Sequence, residues 1–276
     1  MDYVKPADVA NAMVETARRK LALSPGDLVI RGVLAGAILG SATSLAFTGA
    51  LQTGVPLVGA LIFPVGLCII VLLGLDLVTG SFGLLPLPLL HREFSAQTML
   101  TSWTYTFIGN LLGSMAYGGL LAVVLTNFGA TAPAGVGAQI IAIAQAKTTG
   151  YAALGFAGMV TVFVKAMLCN WMVCLAIVMM MTSASTIGKI AAAWMPMLIF
   201  FWQGFEHSVV NMFVIPTGML MGAKVTVAQW WLWNQIPVTL GNLVGGFIFT
   251  GLALYLTHKP RSAPAPLTAP TQVPAE

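Results

Sequence analysis

The chain has 276 residues, of which 58% are hydrophobic and only 7% charged, with mean hydropathy +0.91. A water-soluble globular domain carries about 25% charged residues, so this composition excludes one. It points to a polytopic helical membrane protein. The net charge of +4 comes from twelve Lys and Arg scattered around the apolar runs, a pattern that does not indicate nucleic acid.

The first 27 residues are polar and lack an apolar h-region, so no cleavable signal peptide is expected. Six membrane elements follow, each near the roughly 20 residues that a helix needs to cross hydrocarbon. The first runs about 28–51. The second runs from Pro56 to Leu75, is interrupted over 76–82 ("DLVTGSF"), and resumes to about Leu90. The third covers about 101–126 and the fourth about 153–181. The fifth starts near Ile190, is interrupted over 204–208 ("GFEHS"), and resumes to about Met221; the sixth covers about 229–257. The tail, 259–276, is rich in Pro and Ala and is expected to be disordered. The expected domains are therefore an N-terminal segment 1–27, a transmembrane domain 28–258 and the tail.

Lys and Arg set the orientation. Arg18, Arg19, Lys20, Arg92, Lys189, Lys259 and Arg261 fall on one side of a six-span arrangement, and Lys5 agrees with them. Lys147 and Lys224 fall on the other. The first side is expected to be cytoplasmic, with both termini inside the cell membrane. Arg31 stands at the edge of the first span, where it can snorkel. Cys68, Cys169 and Cys174 lie in apolar segments without metal-type spacing and read as small buried hydrophobes. No metal site or cofactor is expected.

An internal repeat runs through these spans. "IGNLLGSMAYGGLLA" from Ile108 resembles "LGNLVGGFIFTGLAL" from Leu240, an offset of 132. "GLD" at Gly74–Asp76 matches "GFE" at Gly204–Glu206, an offset of 130. Each half holds three spans, and an odd number forces the second half in upside down. Inverted repeats place the site between the halves near the midplane. Broken helix at that depth survives only when buried in protein or lining a polar cavity. The GNLLG and GNLVG pieces suit close helix packing, within or between protomers, and Asn110 and Asn242 suit interhelical hydrogen bonds.

The polar residues at the breaks are the candidate site. A half-helix that starts inside the membrane offers free N–H groups and a positive dipole end to anions. Ser208, and Thr79 or Ser81, suit such starts. Asp76 and Glu206 occupy equivalent places, and the preferred reading is that each carboxylate accepts backbone N–H bonds at its break. His207 has Leu77 as its repeat partner, so symmetry does not require it, and an intramembrane ionisable group is a functional candidate by default. Imidazole gains or donates a proton in the physiological range. Lys165, inside the fourth span, suits snorkelling or packing at a subunit interface, with anion attraction or an ion pair as alternatives. Lys147 lies at the outer mouth, and His91 reads as an interface residue.

"CNWMVCLA" (Cys169–Ala176), "GFEHSVVNMFVIP" (Gly204–Pro216) and "LDLVTGSF" (Leu75–Phe82) together resemble the formate–nitrite transporter family, over nearly all of residues 5–258. The resemblance implies an all-α, aquaporin-like protomer of six transmembrane helices, with the second and fifth broken. It implies a homopentamer in the lipid bilayer, one pore per protomer, passing small monovalent anions: formate, nitrite or hydrosulfide. By motif, His207 is the expected central pore histidine, Thr79 the threonine facing it and Asn170 the pore asparagine. Leu67, Leu77, Val78 and Val173 are the expected inner constriction, and Phe63 and Phe200 the outer one. Val78 stands where relatives often carry an aromatic. Lys147 resembles the lysine of the outer vestibule. Nitrite is slightly favoured over formate. An aquaporin-type neutral-solute channel is the alternative, but the chain has no Asn-Pro-Ala triplet. An intramembrane serine protease is more distant, since there is no G-x-S-G motif. No enzyme activity and no nucleic-acid partner are expected.

Overall fold

The computed structural model describes residues 2–258. The Pro/Ala tail, 259–276, lies outside the described residues. These fold as helices: α1 Pro6–Leu21, α2 Pro25–Thr53, α3 Pro56–Ile62, α4 Val65–Leu72, α5 Val78–Phe82, α6 Pro86–Leu90, α7 Ala96–Thr126, α8 Val136–Ala146, α9 Thr149–Ala153, α10 Gly155–Met180, α11 Thr186–Trp202, α12 Ser208–Leu220 and α13 Val227–His258. Four of them (α2, α7, α10 and α13) are long and apolar enough to cross a membrane alone. The shorter apolar helices supply the two broken crossings, α3 to α6 and α11 to α12.

Local signals account for most boundaries. Ser24, Ser95 and Ser185 cap α2, α7 and α11 by accepting the N–H three residues on. Thr226 and Gln229 form a capping box at the start of α13. Pro64 interrupts the second crossing between α3 and α4, because it has no N–H to give. The last helix contains two π-helical stretches, Trp231–Gln235 and Gly245–Leu252.

The two halves pack alike. The α2–α7 pair and the α10–α13 pair are each in close contact, and the paired GxxxG glycines lie in those contacts. A Cβ on Gly113 would come 1.9 Å from Val33 O, and one on Gly245 would come 2.0 Å from Met167 O. The glycine pairs therefore serve packing within the protomer, at a backbone separation that a methyl group forbids. Gly74 and Gly204 take left-handed φ angles of +66° and +63° at the two breaks, so the same turn ends the first part of each broken crossing.

One expectation needs correction, and two segments hold helices that the sequence pattern does not mark. The first break is Leu73–Leu77, since α5 already begins at Val78; most of the stretch expected to be irregular is helical. The N-terminal segment holds an amphipathic helix, α1, whose apolar residues Val9, Met13 and Leu21 are buried against Leu84, Leu85, Leu87 and Val178. The connection before α10 carries two short helices, α8 and α9, where no element was expected.

Candidate functional site

Each break is closed by one asparagine from the long helix of its own half. Asn110 Nδ2 donates to Gly32 O (3.0 Å) and Asp76 O (2.9 Å), and its Oδ1 accepts from the Val78 N–H (2.9 Å). In the other half, Asn242 Nδ2 donates to Ala166 O (2.8 Å) and Glu206 O (2.9 Å), and its Oδ1 accepts from the Ser208 N–H (2.8 Å). Both asparagines are fully buried. A buried, interrupted backbone must find such partners or leave costly unpaired groups. The two clamps equate Gly32 with Ala166, and therefore Gly36 with Asn170. At Gly36, α7 leaves no room for a side chain: a Cβ would sit 2.3 Å from Asn110 O. At the equivalent place Asn170 reaches across to donate to Thr79 O (3.0 Å) and Asn242 O (2.7 Å). This asparagine thus ties the two breaks together.

His207 is the N-cap of α12, with extended backbone angles, and is buried. Its Nδ1 accepts the Val210 N–H (3.2 Å), and its Nε2 lies 3.1 Å from Thr79 Oγ1. Since Nδ1 is an acceptor, the neutral ring carries its proton on Nε2 and donates to the threonine. The Thr79 hydroxyl proton then remains available to a third group. The expected constriction residues are all buried: Phe63, Leu67, Leu77, Val78, Val173 and Phe200 belong to one apolar cluster. Phe200 stacks on the His207 ring (5.8 Å between centroids) and meets Phe63 edge-on (5.5 Å). Phe201, which the motif did not single out, stacks on Phe63 at 4.0 Å.

The carboxylates do not accept backbone N–H groups, contrary to expectation; the asparagine clamps do that work. Each carboxylate is instead paired with a lysine. Lys20, in the last turn of α1, binds Asp76 Oδ1, while Asp76 Oδ2 has no hydrogen-bond partner among the described residues. Lys147, just after α8, donates to Glu206 Oε2 at 2.7 Å. Glu206 also accepts from Tyr151 Oη (2.8 Å) and from the Asn211 (2.8 Å) and Asn234 (3.4 Å) amides. Sequence distance concealed these pairs, because Lys20 and Asp76 lie 56 positions apart. Ser208 starts α12 as expected, and its hydroxyl contacts Thr239 and Gln235. In the first half Val78, and neither Thr79 nor Ser81, is the first helical residue. Lys165 contributes its backbone carbonyl to the second break, accepting the Glu206 N–H at 3.4 Å. His91 Nε2 lies 3.0 Å from the Tyr255 hydroxyl.

On the α1 side of the pair a cavity of about 700 Å³ opens, lined by α1, α2, the first break and the start of α11. Besides its apolar face and Lys20, polar contacts of the N-terminal segment hold helix α1 over it. Arg18 forms a two-pronged pair with Glu93 (both 2.6 Å), and the Asp2 carboxylate accepts the Ala184 (2.9 Å) and Ser185 (2.7 Å) N–H groups. The Arg18 guanidinium lowers the Glu93 pKa, and the Ser185 contact lowers that of Asp2. Lowered folded values stabilise docking at pH above the ordinary carboxyl range, near 4.5 for Glu93, and that stabilisation is lost as pH falls through the folded values. The Arg18–Glu93 side chains are about a third exposed, so their pair contributes on the order of 1 kcal/mol or less. Protection of the Pro6–Leu21 amides, corrected for the intrinsic exchange rate at each pH, is expected to fall up to roughly fivefold between neutral pH and about pH 3, with protection in α10 unchanged. Hydrogen-exchange mass spectrometry checks this.

With the geometry established, comparison with known proteins is direct. The profile of the formate/nitrite transporter family matches residues 7–256. The chain is 36% identical to a probable formate transporter of Methanothermobacter thermautotrophicus, over 93% of this chain and 97% of that one. It is 33% identical to the nitrite transporter NirC of Salmonella typhimurium, over 95% and 97%. Among solved structures it resembles an FNT family ion channel (TM-score 0.78, 30% identity, 91% of this chain and 98% of that one). It also resembles a pentameric formate channel with formate bound (TM-score 0.68, 27% identity, 85% and 98%). The chain, a multi-pass membrane protein built from two inverted three-span halves, belongs to the formate/nitrite transporter family of anion channels and transporters.

Proposed function

We propose that this protein passes nitrite and formate, with hydrosulfide as a third substrate, through a pore in each protomer at the Thr79–His207 pair. The observation that carries this reading is a buried polar pair 3.1 Å apart, with Phe200 stacked on the His207 ring and Phe63, Leu67, Leu77, Val173 and Phe200 in one buried apolar cluster. A bare anion pays a high desolvation cost between such side chains. A hydrogen bond from the Thr79 hydroxyl, whose oxygen accepts from His207 Nε2, offsets part of it. A proton shared with the anion lowers the remaining cost further, since the species then approaches a neutral weak acid. The ring already caps α12 through Nδ1, so forming imidazolium costs the Val210 bond. Hydrogen bonding from Nε2, with the proton supplied through water, is therefore preferred over a resident imidazolium.

In the same reading the α1 side is cytoplasmic, with residues 1–27 and the tail facing the cell interior and 28–258 forming the channel domain in the cell (inner) membrane. Five copies assemble, as in the pentameric formate channel that the fold resembles. Asn170 and the two clamps hold the breaks. Asp76, Glu206 and Ser208 support them, and Lys147 shapes the outer vestibule. Phe63 and Phe200 form the outer constriction; Leu67, Leu77, Val78 and Val173 form the inner one.

Purified protein in proteoliposomes tests the substrate order. Nitrite uptake is expected to exceed formate uptake at equal concentration. Formate ahead of nitrite reverses the order, and flux of water or glycerol with no anion flux overturns the anion reading.

A further inference from the structure

The cavity on the α1 side is built for something larger than the anions assigned to the pore. Its volume, about 700 Å³, lies in the range of roughly 300–1,000 Å³ that holds a whole organic ligand. Four cationic side chains line it (Arg19, Lys20, Arg31 and Lys189) against one carboxylate, Asp76, which leaves a net charge of +3. They are not equivalent. Lys20 is neutralised by Asp76, and Arg19 pairs with Glu15 at 3.6 Å. Arg31 gives one nitrogen, Nη1, to the Gly74 carbonyl (3.3 Å), which holds it at the first break; its Nε and Nη2 have no partner among the described residues. Lys189 has no ion pair among the described residues. The surplus charge therefore rests on Arg31 of α2 and Lys189 of α11, with Arg19 of α1 at the rim. Leu67 and Leu77, of the proposed inner constriction, also line it.

A small monovalent anion offers one charge to cations on separate helices. A linked pair of phosphates offers several charges and can bridge them, and the guanidinium fork matches phosphate oxygens. We propose that the cavity binds a diphosphate group, carried by free pyrophosphate or by a nucleoside diphosphate, through Arg31 and Lys189. A ligand of that size stops at Leu67 and Leu77 and blocks the pore from the α1 side.

Calorimetric titration of the full-length, detergent-solubilised protein with pyrophosphate at low ionic strength tests the binding without reference to transport. One pyrophosphate per protomer is expected, with weaker binding of orthophosphate. Arg31→Gln with Lys189→Gln should weaken binding roughly tenfold or more, and Lys189→Gln alone, which leaves the Arg31 bond to the break intact, should do so in part. High salt should weaken binding to wild-type protein, because exposed charges are screened within about 10 Å at 0.1 M. ADP binding with the same mutational loss identifies the nucleotide as a source; pyrophosphate binding without ADP identifies the free ion. No binding to wild-type protein, or equal affinity in the variants, overturns the proposal. The expected block of anion flux by pyrophosphate on the α1 side rests on the transport reading. Unblocked but robust anion flux counts against this site alone, whereas absent anion flux counts against the transport reading.

Discussion

Asn242→Ala is expected to lower stability by on the order of 3 kcal/mol or more, the largest loss from any single polar deletion in the second half. The substitution strands two buried backbone groups at once, the Ser208 N–H and the Glu206 carbonyl, and removes a second bond to the Ala166 carbonyl within α10. Each unsatisfied buried group costs about 1–3 kcal/mol. Single side-chain hydrogen bonds between membrane helices average nearer about 0.6 kcal/mol, because the separated helices find other partners. That discount does not apply fully here, since the stranded groups belong to a fixed, interrupted backbone. The expected shift in thermal midpoint is roughly 6–12 °C. Asn242→Asp separates the two functions of the amide: it keeps the acceptor for Ser208 and turns the donor end into an oxygen facing two carbonyls. It should be at least as harmful as alanine. Thermal unfolding of the detergent-solubilised oligomer reads both, and Asn110→Ala should behave like Asn242→Ala. An unchanged midpoint in Asn242→Ala would mean that water replaces the amide at the break.

Lys147→Met should be the second large loss, and one that a further substitution repairs. Glu206 is buried, and removing the partner of a buried charge costs about 3–5 kcal/mol. Tyr151, Asn211 and Asn234 still donate to the carboxylate, so the lower end of that range applies. Lys147→Met with Glu206→Gln removes both charges and keeps the shape of the site. The double variant should regain most of the stability lost by the single one, with a coupling well beyond the roughly 0.3–0.5 kcal/mol scatter seen between independent sites. The inner pair should respond differently. Among the described residues the Asp76 carboxylate has one partner, Lys20, on the N-terminal helix, so Lys20→Met should loosen α1 more than it destabilises the membrane domain. Chymotrypsin sensitivity of the N-terminal segment distinguishes the two effects.

The sequence made the spans and their inversion legible because both are written in local pattern: long apolar runs, and paired Gly-Asn and Gly-x-acid pieces at nearly one offset. It also singles out His207, Thr79 and the constriction residues on motif resemblance; the fold buries all of them, with the apolar ones in one cluster and His207 beside Thr79. What it concealed depends on contacts between distant residues. The Asn110 and Asn242 side chains were legible as interhelical donors, but not as the groups that close the breaks, so that role was assigned to Asp76 and Glu206. The docking of α1 depends on Glu93, Asp76 and the 183–185 turn, none of which is near it in sequence. The sequence suggests too long a first break, because Asp76–Phe82 reads as polar and glycine-containing; the Asn110 side chain accepts the Val78 N–H where α5 starts.

The central claim, that anions cross at the Thr79–His207 pair, is tested most directly by nitrite and formate flux through wild-type and His207→Phe protein in proteoliposomes, across about pH 5–8, where imidazole titrates. Phenylalanine keeps a ring against Phe200 but supplies neither the cap for Val210 nor the donor to Thr79. The account predicts that anion flux is lost in the variant at every pH while the oligomer remains intact. Anion flux equal to wild type at every pH, from an intact oligomer, would contradict it.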